Sequence, residues 1–213
     1  IAAALDDKCN IRFDKLTLPE YEADKGRALN FDEMKTFLKE VQKSKYEVPL
    51  LLALWCEMRR SEIVALNKAD FNFAKKSISV NKALVQNDKN EWVYKEPKTK
   101  AGKRIVLCDD YILDKVKDMP DTGGRLFTMH PNTLYNEVQK ICKRTDIAHT
   151  RLHDLRHTGA SLSEYLNIPQ KYIMERGGWS SKPILEKVYT HTIDKGIEEA
   201  AEKIDTFIKG MLE

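Results

Sequence analysis

Apolar residues recur at the spacing of an α-helix in the first third of the chain. After Asn30, the segment FDEMKTFLKEVQK carries acidic residues in its first turn and lysines later, which is typical of a helix capped by Asn30. The run PLLLALWCEMR predicts a second helix that is buried on most sides. A third helix is predicted to begin at Ser61, whose hydroxyl can cap it, and to continue through EIVAL. The apolar face of the first helix would comprise Phe31, Met34, Phe37, Leu38 and Val41.

The pattern changes between Asp70 and Leu107, where short β-prone runs replace the helical spacing. These runs are FNF, SISV, ALVQ, EWVY and RIVL, and polar segments such as NDKN and KTKAGK separate them. The alternation predicts a small antiparallel sheet with exposed hairpins.

Helical spacing returns in the second half of the chain. It is present in DDYILDKVKDM, in NTLYNEVQKICKR and from His153 onward. The last segment, GIEEAAEKIDTFIKGML, predicts an amphipathic helix. Its apolar positions are Ile197, Ala200, Ala201, Ile204, Ile208 and Leu212.

Composition narrows the class of protein without defining its function. A chain of 213 residues with 42% hydrophobic and 32% charged residues is expected to fold as one globular domain, or as a domain with a short appendage. The net charge of +3 permits nucleic-acid binding but does not demand it. No apolar run is long enough to cross a bilayer, and the start IAAALDDKCN lacks the basic region of a signal peptide.

The cysteines and the N-terminal segment complete this outline. Four scattered cysteines, without a C-x-x-C pair, indicate reduced thiols in an intracellular protein and not a disulfide framework or a zinc site. Residues 1–25 lack sustained periodicity and contain TLPEYEADKG, which suits a linker, so the folded domain is expected to span 26–213. The cysteines are Cys9, Cys56, Cys108 and Cys142.

Candidate chemistry is concentrated near the C-terminus, in a stretch that contains His153, Arg156, Trp179 and Tyr189. Far upstream, EMRRSEIVAL supplies a second arginine, Arg59. A guanidinium is planar and always charged, and it matches the non-bridging oxygens of a phosphate. A tyrosine can take a phosphoryl group covalently and hand it on. Two arginines, a histidine and a late tyrosine therefore point to DNA strand exchange.

Three boxes in this order resemble those of tyrosine recombinases, in particular the catalytic domains of phage and conjugative-transposon integrases. The first box, R-x-x-E-I-x-x-L, is matched from Arg59 to Leu66, the second, H-x-L-R-H, from His153 to His157, and the third, Y-x-H, from Tyr189. The resemblance implies a predominantly helical α+β catalytic-domain fold with a small antiparallel β-sheet on one edge. Residues 1–25 would then be a linker or the tail of a missing N-terminal domain that binds core DNA.

The resemblance also implies a role for each matched residue. Arg59 and Arg156 would clamp the phosphate oxygens, and Tyr189 would form a 3′-phosphotyrosyl bond. His153 would contact the phosphate and assist proton transfer, while Lys98, matched to a K-T-x-x-x-x-R pattern, would protonate the leaving 5′-oxygen. The expected supporting residues are Glu62, which would buttress Arg59, and His157, and the expected further DNA contacts are Lys100, Lys103 and Arg104.

Three positions depart from the usual pattern of these enzymes. Trp179 stands where histidine is common; its indole N–H can donate to a phosphate but cannot shuttle a proton, and a core tryptophan is the alternative. Glu57 stands where glycine is usual, so it would strain a tight turn or place negative charge near the phosphate. Asn167, another position where glycine is common, tolerates the left-handed conformation at a helix end.

Other functions remain open on the sequence. HDLRH is similar to the zinc-binding H-E-x-x-H, but Asp154 replaces the glutamate and no third ligand follows. A type IB topoisomerase uses a similar residue set, although the short chain and the integrase-like boxes argue against it. A non-catalytic DNA-binding regulator that retains the fold is the third alternative, which Glu57 keeps open.

The implied partners follow from the same resemblance. Double-stranded DNA is the expected substrate, with no metal, ATP or other cofactor. A homo-tetramer on two DNA sites is expected, held by docking of the helix at 197–212 on a neighbouring protomer, although packing of that helix on its own domain fits the apolar stripe as well. The expected location is the bacterial cytoplasm or nucleoid, with a bacterial or phage gene as the source.

Overall fold

The computed structural model describes residues 26–97 and 102–179. The predicted C-terminal helix at 197–212 and the predicted linker at 1–25 lie outside these residues. The helices are α1 (Phe31–Val41), α2 (Glu47–Leu54), α3 (Arg60–Ile63), α4 (Asp110–Asp118), α5 (Asn132–Thr145), α6 (Leu152–Tyr165) and α7 (Gln170–Gly177). The strands are β1 (Phe71–Asn72), β2 (Ser77–Val80), β3 (Ala83–Gln86), β4 (Trp92–Lys95) and β5 (Arg104–Leu107), and a short 3₁₀ helix spans Lys68–Asp70.

Helix α1 begins as the sequence predicts. The Asn30 side chain accepts a 2.9 Å hydrogen bond from the Glu33 backbone N–H, and the Glu33 carboxylate accepts a 2.9 Å bond from the Asn30 N–H. This reciprocal capping box satisfies two backbone donors that the helix itself cannot. Phe37 and Val41 are buried on the predicted apolar face, whereas Phe31 at the helix start is half exposed.

The prediction for helix α3 was wrong in its starting residue. The helix begins at Arg60 with Arg59 as its N-cap, so Ser61 lies inside the first turn. The cap is made by Glu62, whose carboxylate accepts a 2.8 Å hydrogen bond from the Arg59 backbone N–H. A carboxylate at the third helical position thus does what a hydroxyl at Ser61 was expected to do.

The predicted strand runs are confirmed, but they form two small antiparallel sheets and not one. Strands β1, β2 and β5 pair in that order, while β3 and β4 pair with each other as a hairpin. In the β2–β5 pair Val80 is opposite Arg104 and Ser77 is opposite Leu107. This register sets Arg104 at the end of the sheet that faces the turn before α3. The fold class is the predicted one, mostly helical with a small antiparallel β component.

Helices α2 and α6 bring the distant sequence boxes together. Every residue of α2 is buried, and α6 approaches it so closely that a methyl group on Gly159 would lie 2.0 Å from the Leu54 backbone oxygen. The chain leaves α2 through Glu57 and reaches Arg59, the N-cap of α3, while Arg156 lies on the facing part of α6. A glycine contact in the core therefore sets how near Arg156 comes to the turn carrying Arg59. Across 26–97 and 102–179, every helix is too short or too polar to pass through a bilayer.

Candidate active site

Arg156 is buried in the site, with only 1% of its surface exposed. Its Nη1 donates a 2.7 Å hydrogen bond to the backbone carbonyl of Glu57. The Trp179 ring lies against the guanidinium, with its centroid 4.0 Å from Cζ. Among the described residues, Arg156 Nε and Nη2 are buried and have no hydrogen-bond partner. Burying charged donors without hydrogen-bond partners is energetically costly, so we infer that these two nitrogens are available to bind a ligand.

Arg156 keeps its positive charge at neutral pH. Burial, followed by the repulsion of Arg59, lowers the pKa of Arg156 to about 9. That value still leaves the guanidinium protonated at pH 7. Arg104 adds further positive potential, while Glu62 and Glu57 partly offset it. Three arginines and two glutamates thus leave the site with an excess of positive charge, which suits an anion.

Arg59 is held by two acceptors and is still partly open to solvent, with its side chain 38% exposed. Its Nη1 donates to Glu62 Oε1 at 2.8 Å, and its Nη2 donates to the Gly178 carbonyl at 2.8 Å. The second bond links the turn before α3 to the end of α7. Glu62 therefore buttresses Arg59 by the contact that the sequence comparison implied.

Glu62 also binds Arg104 through both carboxylate oxygens, at 3.0 and 2.9 Å. Burial would raise the pKa of Glu62, but the hydrogen bonds and charge of Arg104, followed by those of Arg59, lower it below its ordinary value. The Arg104 side chain is only 4% exposed, and its Nε donates to the Arg176 carbonyl at 2.8 Å. Arg104, which the sequence suggested as a DNA contact, is thus placed in the interior as a partner of Glu62. No pattern within KTKAGKR signals this pairing, because Glu62 lies far away in sequence.

The basic residues of the β4–β5 connection are only partly within the described structure. Lys103 is exposed and its Nζ lies 2.7 Å from a carboxylate oxygen of Glu96, also exposed. Lys98 and Lys100 lie outside the described residues, as does Tyr189. Lys103 is therefore the member of the predicted DNA-contacting set whose side chain is seen at the surface.

His153 and His157 lie one turn apart on α6, with ring centroids 4.6 Å from each other. Burial, then the charge of His153, lowers the pKa of His157 to about 4, and its Nδ1 is buried with no partner in the described structure. His153 is largely exposed, yet partial burial of its ring and then the charge of Arg156 lower its pKa as well. A neutral His153 beside two arginines can accept or donate a proton. Within 26–97 and 102–179, no group of three His, Cys, Asp or Glu side chains could hold a metal ion.

Trp179 is 7% exposed, and its indole nitrogen is turned inward. Nε1 is buried and has no well-aligned hydrogen bond within the described residues. A methyl group on Gly177 would lie 2.2 Å from Trp179 Nε1 and 2.8 Å from Glu57 Oε2, so the indole nitrogen and the carboxylate are neighbours. The sequence left open whether the indole N–H faces a phosphate or the core, and the structure places it in the interior.

Glu57 adopts the left-handed conformation that glycine would adopt without strain, with φ 52°. Its side chain is 1% exposed; Oε1 accepts a 3.4 Å hydrogen bond from the Ser163 hydroxyl and lies 3.7 Å from Arg176 Nε. The strained turn expected of this departure is therefore present, and the carboxyl group lies within electrostatic reach of Arg156. Asn167, with φ 57°, ends the turn after α6 in the predicted left-handed conformation.

This fold is shared with tyrosine recombinase catalytic domains, and the chain belongs to the phage integrase family, whose model matches residues 27–195. The integrase of the Tn1549 transposon, solved with transposon right end DNA, superimposes with a TM-score of 0.67 at 20% identity, over 94% of this chain and 74% of that one. The catalytic domain of bacteriophage HP1 integrase gives a TM-score of 0.56 at 21% identity, over 83% of this chain and 94% of that one.

Curated relatives carry the same family names at low identity. A XerC-like tyrosine recombinase of Caldanaerobacter subterraneus subsp. tengcongensis is 24% identical over 83% of this chain and 54% of its own length. The integrase of Staphylococcus phage L54a is 25% identical over 90% of this chain and 64% of its own length. An integrase of Saccharopolyspora erythraea is 28% identical over 53% of this chain and 30% of its own length. The chain therefore spans about half of the Caldanaerobacter recombinase and less than a third of the Saccharopolyspora integrase.

Proposed function

We propose that this chain is the catalytic domain of a site-specific DNA recombinase that integrates or excises a mobile element through a 3′-phosphotyrosyl intermediate. The observation that carries the proposal is the state of Arg156. Its guanidinium is buried and charged, and two of its nitrogens have no hydrogen-bond partner among the described residues. Arg59 lies near enough to repel it, so an anion bound by both guanidinium groups would relieve both charges.

The reaction follows from how negative charge develops on a phosphodiester. Attack by a phenol adds charge to the non-bridging oxygens, and fixed cations stabilise that charge where it forms. Arg156 and Arg59 supply these cations, and neutral His153 exchanges a proton with the reacting groups. These residues together stabilise the transition state by electrostatics and positioning.

The proposed covalent step is a transesterification at phosphorus. The Tyr189 phenol oxygen forms a bond to phosphorus while the bond from phosphorus to the 5′-oxygen breaks, which leaves a 3′-phosphotyrosyl link. The phenol proton passes to a base, and the leaving 5′-oxygen takes a proton from Lys98. A 5′-hydroxyl of another strand then reverses the step, so the energy of the phosphodiester is conserved without ATP. The side chains named here need no metal ion or other cofactor for it.

Double-stranded DNA is the proposed partner, acted on in the bacterial cytoplasm. The Tn1549 transposon integrase, which shares the fold, was solved with transposon right end DNA. Assembly as a tetramer on two DNA sites is proposed through the helix predicted at 197–212. An exposed apolar groove of about 340 Å³ beside β5 and α7 suits the apolar stripe of that helix from a neighbouring copy. Its exposed apolar side chains are Ile105, Leu107, Ile168 and Tyr172.

The proposal is tested with a nicked suicide substrate that carries the parent element's end sequence. The full-length protein is incubated with this duplex in EDTA, and a covalent protein–DNA band is sought on a denaturing gel. Tyr189→Phe should abolish the band, whereas the matched control Tyr165→Phe, at an exposed tyrosine at the end of α6, should retain it. DNA binding without any band would refute catalysis and support a regulator that has kept the fold. A band that forms only when EDTA is replaced by divalent metal would refute the metal-free mechanism.

A further inference from the structure

Glu57 occupies a space that two glycines leave between helices α6 and α7. A methyl group on Gly159 would lie 3.2 Å from Glu57 Cγ, and one on Gly177 would lie 2.8 Å from Glu57 Oε2. The side chain is therefore packed on two sides by backbone with no side chain to give way. A carboxylate that is buried on a left-handed residue is unfavourable on both counts, so contacts that offset this cost are expected around Glu57.

The two carboxylate oxygens of Glu57 have different surroundings. Oε1 has Ser163 and Arg176 beside it, at 3.4 and 3.7 Å. Oε2 is buried without a well-aligned partner in the described structure, as is Trp179 Nε1 next to it. Burial raises the pKa of Glu57, whereas the charges of Arg176 and Arg156, and then the neighbouring Trp179 indole, lower it. The buried acceptor and the buried donor without other partners are thus close neighbours, since both lie against Gly177.

Glu57 and Trp179 also contact the same guanidinium from two directions. The Glu57 carbonyl accepts from Arg156 Nη1 at 2.7 Å in the plane of the group. The Trp179 ring covers a face of that group, with its centroid 4.0 Å from Cζ. Together these contacts fix both the tilt and the rotation of the guanidinium.

We propose that Glu57 is a positioning residue, whose carboxylate orients the Trp179 indole through its N–H while its carbonyl holds Arg156. The inference rests on the phosphate-binding role proposed for Arg156. Nε and Nη2 can bind two phosphate oxygens only when the plane of the guanidinium is correctly oriented. Small misplacements of catalytic groups lower reaction rates by large factors. Glu57 therefore contributes to cleavage without touching the DNA.

Four variants separate this role from simple packing. Glu57→Gln keeps an oxygen acceptor, Glu57→Met keeps the length without one, and both retain the left-handed strain of the native residue. Trp179→Phe removes the indole N–H but keeps an aromatic ring over Arg156. Glu57→Met combined with Trp179→Phe completes a double-mutant cycle.

The rate of covalent adduct formation on the suicide substrate is the first readout. Glu57→Met and Trp179→Phe should each slow it by about 10- to 100-fold, the value of one hydrogen bond to a charged group. The double variant should be no slower than the slower single variant, and Glu57→Gln should recover most of the rate. Glu57→Met at the wild-type rate, or two losses that simply multiply, would overturn the proposal.

The indole N–H signals in a ¹H–¹⁵N spectrum give a second readout that does not depend on cleavage. The chain has three tryptophans, and Trp179→Phe identifies the Trp179 signal by its loss. That signal should move in Glu57→Met and stay close to its position in Glu57→Gln, while the signal of exposed Trp92 stays fixed in both. A Trp179 signal that ignores Glu57→Met refutes the inference even if adducts form.

The same spectra distinguish a failure of the positioning role of Glu57 from a failure of the proposed recombinase function. If the wild type forms no adduct but the Trp179 signal responds to Glu57→Met, the positioning contact stands and the proposed recombinase function fails. Should Glu57→Met not fold, hydrogen exchange in the wild type decides. The Trp179 indole proton should exchange more slowly than that of Trp92, which is 39% exposed, and equal rates would overturn the inference.

Discussion

Arg156 donates a 2.7 Å hydrogen bond to the backbone carbonyl of Glu57, which lies 99 positions earlier in the chain. Because a carbonyl carries no formal charge, this bond orients the guanidinium without neutralising it. The charge is left for a ligand, and the protein bears the cost of holding it in the interior. Removing the charge of Arg156 is therefore expected to lower activity without lowering the stability of the fold.

Arg156→Met should therefore lower the rate of adduct formation without lowering the free energy of unfolding. Replacing a buried, incompletely paired charge by an apolar side chain of similar length should leave the free energy of unfolding unchanged or raise it by about 1–2 kcal/mol. Adduct formation should fall by at least about 100-fold, since one of two phosphate-binding cations is lost. Urea denaturation and the suicide-substrate assay measure the two effects. Arg60→Met, at the exposed neighbour of Arg59, is the control and should change neither; a clearly destabilised Arg156→Met would contradict the prediction.

Arg104→Met should behave in the opposite way. It leaves Glu62, which is 3% exposed, without its bidentate partner, and breaking a buried ion pair from one side costs about 3 kcal/mol. Chemical denaturation should show this loss, and adding Glu62→Leu should restore part of it. Lys103→Met removes an exposed ion pair with Glu96 and should leave the free energy of unfolding almost unchanged, because solvent screens such pairs. If Arg104→Met instead weakened DNA binding at unchanged stability, Arg104 would be a DNA contact after all.

Gly159→Ala tests the close approach of α6 to α2. The new methyl group would lie 2.0 Å from the Leu54 carbonyl oxygen, so the helices must separate. We expect a loss of about 1–3 kcal/mol in the free energy of unfolding, although alanine favours a helix by about 1 kcal/mol. The control Gly124→Ala has Thr122 Oγ1 as its nearest neighbour at 3.6 Å and should be almost neutral. Equal stabilities for the two variants would show that α6 can shift freely.

His157 should make the domain sensitive to acid. Its pKa falls from an ordinary 6.5 to about 4 on folding, so between these values the unfolded chain binds a proton that the folded protein does not. Stability should be complete above pH 6.5 and decline as the pH falls toward 4, by on the order of 3 kcal/mol. Denaturation across this range should show a smaller decline in His157→Gln than in the control His149→Gln, at an exposed histidine. Identical declines in both variants would exclude His157 as the source.

Local sequence patterns predicted the elements well and their assembly less well. SISV, ALVQ and RIVL are strands over the residues expected, because side-chain alternation is a property of the strand itself. Their division into two sheets depends on which strands meet in space, which alternation does not encode. Ser61 was expected to cap the helix through its hydroxyl, but the helix begins one residue earlier, and the Glu62 carboxylate accepts from the Arg59 backbone N–H instead.

In the candidate site, too, the sequence predicted which residues take part better than it predicted their contacts. The boxes indicated Arg59, His153 and Arg156, and the structure brings these side chains within electrostatic reach of one another. Arg104 was expected to contact DNA together with Lys100 and Lys103. Only the fold shows that Arg104 is buried by its ion pair with Glu62. The sequence of a basic hairpin does not indicate which of its side chains point toward the interior.

Because Arg59 and Arg104 share Glu62, segments of this domain cannot be exchanged freely with those of related proteins when a chimaera is made. A chimaera that took α3 from one parent and β5 from another would have to inherit both ends of the pair or bury an uncompensated charge. The smallest exchangeable module is therefore residues 59–104, not the helix or the sheet alone. Within it, length changes belong in the β3–β4 hairpin, whose strands pair only with each other in the described part of the chain.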